Sequence, residues 1–145
     1  MKNLYTTVVL CFLLVLGLSV SAQEIKSPKV LTYHGESENW VGDYTLEISE
    51  GAITKLGSLK FKGEDVDSVG WISCTYEAGT GRTTIKSLLA GVHPTDSPIG
   101  EKGTLSSKTV VGGSKEGNNL YSKVKVVKVT VEWDGKTESF NLYKQ

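Results

Sequence analysis

The chain has 145 residues, with 16 Lys and Arg against 16 Asp and Glu, so its formal net charge at pH 7 is zero. That balance gives no electrostatic drive toward nucleic acid or an anionic lipid surface. The length suits one domain, and two cysteines are too few for a disulfide-stapled scaffold.

The first 22 residues, MKNLYTTVVLCFLLVLGLSVSA, have the anatomy of a secretory signal peptide. Lys2 sits near the start, an apolar run extends from Val8 to Leu18, and Val20 and Ala22 stand at −3 and −1 of a cleavage before Gln23. An uncleaved membrane anchor over residues 4–20 is the alternative. The apolar run, however, falls short of the roughly 20 residues a bilayer span needs. Cleavage leaves residues 23–145 as one domain, long enough to bury a core. Cys11 lies within the leader and follows "VVL" rather than a small residue, which argues against lipid attachment there. Cys74 is then the mature chain's one thiol, so no internal disulfide forms and packing must supply the stability.

Beyond the leader the chain reads as strands separated by turn chemistry. "VLTYH" (30–34) is short and rich in β-formers. From position 40, Trp40, Gly42, Tyr44, Leu46 and Ile48 alternate with Val41, Asp43, Thr45, Glu47 and Ser49, the period of a half-buried strand. "LKFKG" (59–63) sets Leu59 and Phe61 against Lys60 and Lys62. "SVGWISCTYEA" (68–78) places Ile72, Cys74 and Tyr76 on one face, with Trp71, Ser73 and Thr75 opposite. Cys74 therefore reads as a small buried hydrophobe. "RTTIKSLLAG" (82–91) is ambiguous between a strand and one helical turn. Residues 92–103 form a loop by composition, 104–111 a strand, and 112–119 an exposed connection.

The C-terminus carries the clearest signal. In "VKVVKVTVEW-DG-KTESFNLY", Asp-Gly suits the two positive φ angles of a type I′ turn. A two-residue loop pairs Trp133 with Lys136, Val131 with Glu138, Val129 with Phe140 and Val127 with Leu142. Val124 and Val126 fall on the opposite parity from Val127, which suggests a β-bulge or a strand buried on both faces. Seven or so strands without a sustained helix point to an all-β fold, an antiparallel β-sandwich, with a small closed barrel as the alternative.

"GESENW" (35–40) before an alternating strand, and "VTVEWDGKTESFNL" (129–142) at the end, resemble small exported proteins of Gram-positive bacilli, lipoproteins among them. The resemblance covers the two ends of the mature domain and rests on structural motifs. It implies an exported immunoglobulin-like β-sandwich of unknown function. Those proteins often carry a lipid-attachment cysteine, whereas this leader ends "SVSAQ".

Candidate chemistry is sparse. In an extended chain His34, Glu36 and Glu38 share a face and could converge with Trp40. Imidazole and carboxylates suit a metal ion, with His93 needed to complete the coordination sphere. The plainer reading is a solvated polar lead-in to the strand. Glu64, Asp65 and Asp67 cluster in a turn, where calcium is the sharper reading and a solvated surface the plainer one. "EAGTGRTT" (77–84) lacks the glycine and lysine of a phosphate loop, and no serine sits in a G-x-S-x-G elbow. Three tryptophans remain, of which Trp71 and Trp133 are candidates for an exposed pair that stacks on a sugar or anchors a partner. The sequence thus favours an exported, non-enzymatic binding or accessory domain with no cofactor. Its partner would be a cell-envelope component or another protein. A small exported metal-dependent hydrolase using His34, His93 and nearby carboxylates is the alternative.

Overall fold

The computed structural model describes residues 26–89 and 103–145. The leader (1–22), Cys11 and His93 lie outside them. The elements are β1 (Lys29–Glu36), β2 (Trp40–Ile48), β3 (Ala52–Phe61), β4 (Trp71–Ala78), β5 (Gly81–Leu88), β6 (Thr104–Gly112), α1 (Lys115–Tyr121), β7 (Val126–Trp133) and β8 (Lys136–Lys144).

The fold is all-β and antiparallel, with eight strands in the order β5-β4-β7-β8-β1-β2-β3-β6. The ladder is continuous, one sheet where a sandwich has two, and it curls until nearly closed, close to the barrel weighed as the alternative. Edge strands β5 and β6 remain unjoined to each other. The seam between the two four-strand arms is short: Tyr33 pairs with Lys144 and His34 with Tyr143. Gly35 explains its tightness, because a Cβ there would lie 2.2 Å from the Asn141 carbonyl oxygen.

Alternation sorts side chains inward and outward as the sequence implies. Trp40, Tyr44, Leu46 and Ile48 of β2 are buried, and so are Ile72, Cys74 and Tyr76 of β4 and Val127, Val129 and Val131 of β7. The arms meet across the interior. Trp40 meets Trp133 edge-on with ring centroids 5.2 Å apart, and Tyr44 stacks on Tyr76 at 5.1 Å. Such aromatic pairs add about 0.5–1.5 kcal/mol each beyond the area they bury. The terminal hairpin has the expected register throughout, from Trp133↔Lys136 to Val127↔Leu142. Asp134 and Gly135 have φ of 45° and 69°, as a type I′ turn requires.

Three expectations need correction, and one ambiguity is resolved. The described residues hold eight strands, the ambiguous 82–91 being one of them, and β3 is longer than expected, beginning at Ala52, seven residues before Leu59. Its inward positions hold Lys55 and Gly57, which hide the apolar alternation. The ambiguous segment after Arg82 is strand to Leu88, tied to β4 by continuous pairing rather than coiled into a helical turn. The connection after β6 contains helix α1, nucleated where Ser114 Oγ accepts from the Gly117 amide at 3.0 Å. Asparagines and glycine are weak helix formers. Tertiary contacts hold α1 instead: Asn118 Nδ2 donates to the Ser49 carbonyl at 2.6 Å, and the Tyr121 hydroxyl accepts from Lys55 Nζ at 2.8 Å. Finally, β7 has no bulge and is not buried on both faces. Its pairing with β8 is unbroken from Val126, which is exposed, while Val124 reaches the core from the turn before the strand. There the Val124 carbonyl accepts from the Tyr33 hydroxyl at 2.9 Å.

Candidate functional site on the outer face of the β4 arm

Inward side chains fill the core, so chemistry open to a large ligand must come from outward positions. On the β5-β4-β7-β8 arm the registers set these in rows. Lys86, Ser73, Glu132 and Thr137 form one row; Thr84, Thr75, Thr130 and Ser139 the next; Arg82, Glu77, Lys128 and Asn141 a third. The middle row is a hydroxyl ladder, with Thr75 and Thr84 oxygens 2.9 Å apart and those of Thr130 and Ser139 3.0 Å apart. In the third row Arg82 donates two hydrogen bonds to Glu77, at 2.8 and 3.1 Å.

Trp71 opens β4 beyond the first row. It is 67% exposed, whereas Trp40 and Trp133 are buried at 0% and 6%. The expected exposed pair is therefore a single indole, because Trp133 turns inward and packs edge-on against Trp40. Paired strand backbone fixes Trp71, which sits opposite Leu88 of β5. Around it lies a shallow depression of about 500 Å³ bordered by Ser73, Lys86, Glu132, Asp134, Lys136 and Thr137. Two ammonium groups, two carboxylates and two hydroxyls thus rim one aromatic face. The arrangement offers stacking and hydrogen bonding in both directions without net charge.

The described sequence candidates for a metal centre, a set without His93, do not gather. His34 and Glu36 point outward from β1, while Trp40 points into the core. His34 Nδ1 lies 2.8 Å from Asp43 Oδ1 across the β1–β2 ladder, and both side chains are at least half exposed. Glu36 faces Lys62 at 3.4 Å, and Glu38 sits in the turn. Asp65 caps its own turn by accepting from the Ser68 amide at 3.3 Å. Among the described residues, no three of His, Cys, Asp and Glu come together as an ion would need. The glycine-rich "EAGTGRTT" is the tight β4–β5 turn, in which Ala78 pairs with Gly81 and Gly79 has a φ of +60°. Cys74 is buried, and burial pushes its thiol up to about 12, so the nucleophilic thiolate is not formed near neutrality.

Two polar clusters were invisible in the sequence. Glu138 reaches the β1–β2 turn, where its carboxylate accepts from Ser37 Oγ at 2.5 Å, from the Asn39 amide at 3.3 Å and from Asn39 Nδ2. Burial pushes the Glu138 carboxyl upward, but these hydrogen bonds and the nearby Lys62 outweigh it and hold the group below its ordinary range. Inside the barrel, Lys55 is buried with its ammonium 4.6 Å from the Tyr121 ring centroid. Strand parity places Lys55 inward once β3 is known to start at Ala52, so the length of β3 was the missing signal.

Comparison with known proteins found no matching family model, no matching curated protein and no matching solved structure.

Proposed function

We propose that this protein is an exported, non-enzymatic binding module that works at the cell envelope and engages its partner through the Trp71 face. The observation that carries the reading is the isolated exposure of Trp71 at a polar depression, in a molecule that buries its other two tryptophans. Its indole presents a flat aromatic surface to solvent, which a partner can cover. Residues 1–22 support export followed by cleavage before Gln23, and the resemblance to exported proteins of Gram-positive bacilli agrees with that location. The two arms facing each other across one core favour a sandwich-like description, whereas the β8–β1 ladder that makes them one curled sheet favours the barrel.

Co-sedimentation with insoluble envelope material from a Gram-positive bacillus tests the reading. Wild-type protein should pellet with the material and Trp71→Ala should remain in the supernatant, with unchanged circular dichroism. Equal pelleting of the two would refute the role of this face. Intact-mass analysis of secreted protein tests export, with a species starting at Gln23 expected and retention of residues 1–22 contradicting it.

A further inference from the structure

We propose that the ligand of the Trp71 face is an uncharged glycan chain, whose sugar ring stacks on the indole while its hydroxyls bond to the rim. The proposal rests on the reading that this face is the binding face, and it adds the ligand's chemical class. Three observations lead to it.

The first is the aromatic itself. One exposed indole, carried on the paired backbone that opens β4, offers a flat π surface with a negative face. The axial C–H bonds of a pyranose are weakly positive and give each face of the ring a small flat apolar patch, which matches that surface in both shape and polarity.

The second is the rim. Lys86 and Lys136 donate hydrogen bonds, Glu132 and Asp134 accept them, and Ser73 and Thr137 do both. A sugar hydroxyl also does both, so each can find a partner here. The two cations and two anions cancel, which favours neither a polyanion nor a polycation.

The third is what the face lacks for a protein partner. A stable protein interface buries about 800 Å² on each side around an apolar centre. Here Ile72 and Trp133 are buried, and among the described residues Trp71 is the one strongly exposed apolar side chain of the depression. The other exposed apolar residues of the arm, Val126 and Tyr143, pair with each other at the opposite end of the β7–β8 hairpin. Beyond the depression the hydroxyl ladder of Thr84, Thr75, Thr130 and Ser139 continues the polar surface that further sugar units would cross.

Tryptophan fluorescence of the mature domain, titrated with chitotetraose, cellotetraose and maltotetraose, tests the proposal. A saturable change is expected with at least one of them. Trp71→Ala should weaken that binding at least tenfold and Trp71→Tyr should retain most of it, the loss in the alanine variant being read by calorimetry. Glu132→Gln should weaken it several-fold with the urea midpoint unchanged. Saccharide binding that survives Trp71→Ala would overturn the Trp71 face as the site. No saturable response to any of the three, alongside envelope co-sedimentation that still depends on Trp71, would overturn the glycan and leave the binding face standing.

Discussion

Substituting Gly57 by alanine probes the closure of the sheet across its own interior. Gly57 lies on β3 and Tyr76 on β4, five places apart in the strand order, so only curling brings them together. A Cβ at position 57 would lie 2.9 Å from two carbons of the Tyr76 ring and 2.7 Å from Ser107 Oγ. The serine hydroxyl can rotate away. The ring cannot, because it is fully enclosed and stacked at 28° on Tyr44. Overpacking of this kind costs about 1–3 kcal/mol. Against it stands the ~0.5–1 kcal/mol by which alanine normally improves on glycine within a strand. The steric cost wins, and Gly57→Ala should destabilise the domain by about 1–2 kcal/mol in urea unfolding. In a Tyr76→Leu background the clash is gone, so the same substitution should be neutral or stabilising by up to ~1 kcal/mol. A Gly57→Ala protein as stable as its parent, with no coupling to position 76, would refute the contact and with it the curl.

Glu138 has a lowered folded pKa, so its contribution is present above the ordinary glutamate value of ~4.3 and is lost as pH falls through the folded value. Urea midpoints measured between pH 2 and 6 should therefore drop less steeply on acidification for Glu138→Gln than for wild type. Cys74 has a raised folded pKa, so its contribution is full below the unfolded value of ~8.5 and declines as pH rises toward about 12. An aromatic disulfide reagent at pH 8 should label Cys74 only at the rate of global unfolding, and prompt labelling of native protein would contradict its burial. Tyr121→Phe removes the acceptor of the buried Lys55 ammonium and should cost about 1–3 kcal/mol. Adding Lys55→Met should recover most of that loss in thermal melts, because neither group is then left unsatisfied.

Legibility in the sequence followed how local the controlling physics is. The β7–β8 hairpin could be paired residue by residue because a two-residue Asp-Gly loop fixes the register and Val127, Val129, Val131, Phe140 and Leu142 mark its inward face. The inward set of β2 was equally plain, since Trp40 to Ile48 alternate without interruption. β3 was cut short because Lys55 and Gly57 occupy inward positions. One packs under Tyr121 and the other makes room for Tyr76, and both partners lie far away in sequence. α1 was missed for the same reason, its stability coming from Ser49 and Lys55 rather than from its own composition. His34, Glu36 and Glu38 share a sequence spacing, but cross-strand partners Asp43 and Lys62 engage the first two separately. The exposure of Trp71 followed from strand parity. The mixed-charge rim did not, because it draws on four strands and the Asp-Gly turn.

The most direct measurement of the central claim is an amide and indole chemical-shift map of the isotopically labelled mature domain as solubilised cell-wall fragments are added. The Trp71 indole signal should move first, together with the amides of Ser73, Lys86, Glu132 and Thr137, while the indoles of Trp40 and Trp133 and the His34–Asp43 face stay in place. Shifts centred on His34, or on Val126 and Tyr143, with Trp71 unmoved would contradict it.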